Sequence, residues 1–142
     1  MLRINAFAFG WHPDARDHNG NNGRVIMSRL GLTPASFDEY LEALPKVLDS
    51  LRGLQKVGLK NALAYDRSID FDTLDEAAAR AAWGKGNPGE HERKAFGDCV
   101  VDRLCRLAGE RDIPFQMHLA YPWSGELLGM AFVYRNIWID LT

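Results

Sequence analysis

The sequence predicts an α/β fold built on a parallel sheet, and three observations carry that prediction. Short β-rich runs alternate with helical patterns along the chain. An amphipathic pattern over residues 92–108 closes on Gly109 and leads straight into the β-rich run 113–120, the second half of a βαβ unit. The β-rich runs themselves alternate apolar and polar residues, as strands with two different faces do. Together these favour right-handed crossovers and about four mostly parallel strands. A length of 142 residues suits one domain, 1–142.

The first strand is expected over 2–9. A loop follows over 10–23, where His12, Pro13, His18 and the run Asn19-Gly-Asn-Asn-Gly23 are too flexible by composition for a regular element. A short helix is expected over 24–30. The clearest helix starts near Ser36, which has capping-box spacing to Glu39. Its apolar stripe runs through Phe37, Tyr40, Leu41, Leu44, Val47, Leu48, Leu51 and Leu54, and Pro45 should kink or split it. The second strand covers 57–64, and a charged loop leads to an Ala-rich helix at 73–83. The glycine-rich stretch Gly84-Lys-Gly-Asn-Pro-Gly89 lacks the Lys-Ser/Thr ending of a phosphate loop and reads as a connection. The helix at 92–108 buries Phe96, Val100, Leu104 and Leu107 before the third strand, 113–120. A short helix at 125–134 and a last strand at 136–142 complete the pattern.

Composition excludes several classes. A net charge of −2 gives no electrostatic case for nucleic acid or an anionic membrane. No apolar run reaches the length of a membrane span, and Met1-Leu-Arg-Ile-Asn5 lacks a signal-peptide core. Cys99 and Cys105 fall on one helix, about 240° apart around it, so they are poorly placed to pair. A cytoplasmic protein with reduced thiols is the expectation.

Strands buried on both faces would be almost continuously apolar. Here Arg3, Asn5, Lys60, Gln116, His118 and Asp140 alternate with apolar neighbours, which places them on the face opposite the helices. In a barrel that face is the interior, and polar groups near the carboxyl ends of strands build an active site. In a two-layer sheet the same residues only solubilise a wet face. Tyr65, Asp66 and Arg67, just after the second strand, could contact substrate or form a solvated turn. Trp123 and Trp138 could wall a pocket or belong to the core.

Several segments resemble a known family. Gly58-Leu-Lys-Asn-Ala-Leu-Ala-Tyr-Asp-Arg67, Lys94-Ala-Phe-Gly-Asp-Cys-Val-Val101 and Ile113-Pro-Phe-Gln-Met-His118 resemble the middle strands of amidohydrolase-related TIM-barrel proteins. Tyr121-Pro-Trp-Ser-Gly-Glu126 with Asn136-Ile-Trp-Ile-Asp-Leu141 is similar to the next part of the same family. The resemblance implies a metal-dependent hydrolase, in which a divalent metal such as zinc activates water against an amide or ester-like bond. It implies that His118 and Lys60 are metal ligands, while Tyr65, Arg67, Tyr121 and Trp123 are the candidate substrate contacts. The family's paired histidines on the opening strand and its final-strand aspartate have no counterpart here. His118 and Tyr121 are also three residues apart where the family inserts a helix and a strand. The expectation is therefore a truncated and internally deleted member, a partial (β/α) barrel of about half the strands of a full one.

Two functions compete. One is an amidohydrolase-like hydrolase fragment acting on a small molecule, with reduced activity. The other is a non-catalytic module that self-associates through open sheet edges. Metal content separates them at this stage.

Overall fold

The computed structural model describes residues 1–51, 58–71, 73–119 and 133–140. Four strands form one parallel sheet in the order β1-β2-β3-β4: β1 (Leu2–Arg3), β2 (Leu59–Asn61), β3 (Phe115–His118) and β4 (Ile137–Asp140). Among the described residues four α-helices accompany them: α1 (Gly23–Arg29), α2 (Phe37–Asp49), α3 (Glu76–Ala82) and α4 (Glu90–Glu110).

Register separates the two faces. Leu2, Leu59, Phe115 and Ile137 pair across the sheet as one apolar row. Arg3, Lys60, Gln116 and Trp138 form the next row, on the opposite face. His118 pairs with Asp140 two residues further along that face.

Local side-chain chemistry starts each helix. The Asn22 side chain accepts from the Arg24 and Val25 amides at α1, and Ser36 accepts from Glu39 at α2 while Glu39 accepts from the Ala35 amide. Asp75 caps α3, and the Glu92 carboxylate accepts from the Gly89 amide at α4. The helix α2 continues through Pro45 rather than splitting there. Gly109 lies inside α4, not after it; the turn comes at Asp112, whose φ of 54° is a left-handed value that aspartate tolerates.

Three expected strands are shorter than their apolar patterns: the third covers only Phe115–His118 of 113–120, and the first two give way to 3₁₀ structure. The first stops at Arg3 and becomes a 3₁₀ helix over Asn5–Phe9; the second stops at Asn61 and becomes a 3₁₀ turn over Leu63–Tyr65. Asparagine side chains explain the first two. Asn61 Oδ1 accepts from the Leu63 amide, and Asn5 Oδ1 accepts from the Ala62 amide. Backbone groups that would have continued the ladder are satisfied by side chains instead. The expected helix at 125–134 falls almost entirely outside the described residues, as do Leu54, Val57 and the last two residues of the fourth strand.

One hydrophobic core joins the apolar sheet face to the helices. Phe96 of α4 is its centre, with ring contacts to Trp11, Phe37, Tyr40 and Trp83. Tyr40 is fully buried and its hydroxyl donates to the Phe7 carbonyl at 2.8 Å. Glycine makes that contact possible: a Cβ added at Gly10 or Gly23 would lie 2.1 Å from the Tyr40 oxygen. Cys99 and Cys105 are free and buried, and burial raises both thiols, that of Cys99 to about 12, which disfavours the reactive thiolate.

Candidate functional site

The carboxyl ends of the strands carry a continuous polar cluster. It begins in the loop after the first 3₁₀ helix, which is tied down rather than flexible. The Asn22 amide reaches the Phe9, His12 and Ala15 carbonyls at 3.0, 2.9 and 2.7 Å. Asp17 Oδ1 accepts from the Asn19 and Asn21 amides at 3.0 and 2.8 Å. These bonds deliver His18 to Asp66, which the 3₁₀ turn after β2 presents from the other side.

Asp66 is almost fully engaged. Its carboxylate accepts from the His18 backbone amide at 2.7 Å and from Asn5 Nδ2 at 2.9 Å, and His18 Nδ1 lies 2.9 Å from the same Oδ2. With its Nδ1 proton donated to Asp66, His18 uses Nε2 to accept from the Asn19 side-chain amide, 2.8 Å away. Both ring nitrogens are occupied.

A second histidine–aspartate pair lies on β3 and β4. Asp140 Oδ2 is 2.7 Å from Lys60 Nζ, 3.0 Å from Gln116 Nε2 and 3.5 Å from His118 Nδ1. Lys60 and His118 therefore share one face and one partner. The His118 side chain is only 11% exposed, and its Nε2 has no hydrogen-bond partner among the described residues. Tyr65 joins the two pairs: its ring stacks on His118 at 5.0 Å and 22°, and meets His18 at 5.3 Å and 52°.

The residues expected to form the site are thus divided. Lys60, His118 and Tyr65 come together. Arg67 does not join them; its guanidinium turns to buried Asp98 at 2.6 Å and to the Ser68 carbonyl. Tyr121 and Trp123 lie outside the described residues. His18 was legible only as a loop residue, because its partner Asp66 is 48 positions away.

A catalytic zinc takes three protein ligands and an open position. Among the described residues no group of three His, Cys, Asp or Glu side chains is placed to hold a metal ion. Lys60, as an ammonium paired with Asp140, has no lone pair to offer, and its charge already satisfies the carboxylate that would accompany His118. Among the described residues, this set does not by itself fit a zinc centre.

No family model, no characterised protein and no solved structure matches the chain. Among the described residues, no helix is long and apolar enough to cross a membrane.

Proposed function

We propose that the chain is a shortened amidohydrolase-like hydrolase, a partial barrel whose carboxyl-edge cluster hydrolyses an ester-like or amide bond of a small molecule. The observation that carries this reading is the His118 Nε2, without a hydrogen-bond partner among the described residues, beside Lys60 and Asp140 at the carboxyl ends of parallel strands, where α/β folds gather their chemistry. The strand order β1-β2-β3-β4, without reversal, also suits successive units of a barrel.

The chemistry uses side chains alone. His118 Nε2 takes a proton from water as the water oxygen attacks the carbonyl carbon. The Lys60 ammonium stabilises the oxyanion that forms, and Asp140 stabilises the imidazolium. As the bond to the leaving group breaks, His118 returns the proton to it. Tyr65 holds the imidazole plane by stacking. Turnover is low, because one cation and one imidazole supply only part of what a complete barrel mouth provides.

The test is hydrolysis of an aryl lactone such as dihydrocoumarin by the purified chain. We expect a rate above buffer that falls at least tenfold in His118→Ala, within the range general bases supply. His91→Ala, a surface control paired with Asp75, should keep it. A His118→Ala rate equal to wild type would remove the hydrolase reading.

Self-association is the second reading, favoured by one observation: Trp138 on β4 is 67% exposed. An apolar side chain on an outer strand suits pairing with a second copy. Light scattering should then show a dimer that Trp138→Glu converts to monomer.

A further inference from the structure

Asp66 also belongs to the wall of a cleft of about 450 Å³ between the first 3₁₀ helix, the loop after it and the start of α4. That volume is in the range of small-ligand sites. Its apolar part is formed by Phe9 and Trp11, and four cations line it: Arg16, Arg67, Arg93 and Lys94. Two of the four are spent. Arg67 and Lys94 share the two oxygens of buried Asp98 at 2.6 and 2.7 Å, and Lys94 also bonds the Asp70 carbonyl.

The other two are available. Arg16 donates only to the Pro13 and Ala15 carbonyls, and Arg93 only to Asn87 Oδ1 at 3.4 Å, so neither guanidinium has a carboxylate partner among the described residues. On the acidic side, Asp66 is occupied by Asn5 and His18, which leaves Glu90 as the lining carboxylate without an ion-pair partner among the described residues. Among the described residues, the lining therefore carries two guanidiniums and one carboxylate without a charged partner, together with Phe9 and Trp11.

We propose that this cleft binds a small organic oxyanion, a carboxylate or phosphate joined to an aromatic body. Arg16 and Arg93 take the oxyanion, as guanidinium forks do, and the body lies along Phe9 and the edge of Trp11. This goes beyond the hydrolase reading and does not rest on it.

Calorimetric titration of the full chain with benzoate, phenyl phosphate, inorganic phosphate and benzamide tests it. Benzoate or phenyl phosphate should bind, and the tighter of the two identifies the headgroup. Inorganic phosphate should bind more weakly than phenyl phosphate, and neutral benzamide about tenfold more weakly than benzoate. Replacing both exposed arginines (Arg16→Ala with Arg93→Ala) should weaken the anions at least tenfold, while Glu90→Gln should tighten them. His118→Ala should leave benzoate affinity unchanged, which separates this site from the hydrolytic one. Equal binding of benzoate and benzamide, unchanged affinity in the double variant, or no anion binding at millimolar concentration would overturn the proposal.

Discussion

The two histidine–aspartate pairs that flank Tyr65 contain the same residue types and are built for different work. At His18–Asp66 every polar atom has a partner: Asn5, the His18 amide and the His18 ring hold the carboxylate, and Asn19 holds the far ring nitrogen. At His118–Asp140 the carboxylate is held by Lys60 and Gln116, the imidazole stands off at 3.5 Å, and its Nε2 has no hydrogen-bond partner among the described residues. A saturated pair fixes a loop. A pair with a free nitrogen beside a cation can move a proton.

That contrast is open to attack through stability first. Asp66→Ala would strip the fully buried Asn5 amide of an acceptor and release the loop from the turn after β2. We expect a loss of about 2–4 kcal/mol in urea unfolding, because buried donors left unpaired carry their full desolvation cost. Asp140→Ala should cost less, about 1–2 kcal/mol, since Lys60 at the sheet face can recover water. A larger loss at Asp140 than at Asp66 would reverse the assignment of roles.

Tyr65 sharpens the comparison. It is 61% exposed, and its hydroxyl has no hydrogen bond among the described residues, so the ring alone should matter. Tyr65→Phe should behave as wild type in lactone hydrolysis, and Tyr65→Ala should lose a few-fold in rate with about 1 kcal/mol of stability. Equal losses in both variants would mean that the hydroxyl, not the stack, is the working part. The smallest effect concerns metal. Treatment with EDTA should leave hydrolysis unchanged, whereas a rate lost on chelation and restored by zinc would make His118 a ligand instead of a base.

The difference between the pairs also marks how far the sequence could be read. Lys60, Gln116, His118 and Asp140 sit on strands, where a period of two settles their common face, and β4 brings Asp140 to Lys60 by register alone. The α/β class, the parallel sheet and the phase of the polar face were legible for the same reason. The His18–Asp66 pair was not. Its composition reads as flexible loop, and the bonds that order it run from Asn22 and Asp17 to backbone groups with no periodic signature. Asn5 and Asn61 hid the strand ends in the same way, since an asparagine inside an apolar run does not announce that its side chain will take the next amide. Arg67 followed a strand as a substrate contact would, but buried Asp98 on α4 claims it, and Gly97 leaves the room for its guanidinium.

The most direct test of the two-role account is the initial rate of dihydrocoumarin hydrolysis measured side by side for His18→Ala and His118→Ala, each confirmed as folded by its unfolding curve. The account predicts that His118→Ala loses at least tenfold with little change in stability, while His18→Ala is destabilised and, below its unfolding transition, keeps most of the wild-type rate. A folded His118→Ala that hydrolyses as fast as wild type, or a His18→Ala that abolishes hydrolysis while remaining folded, would contradict it.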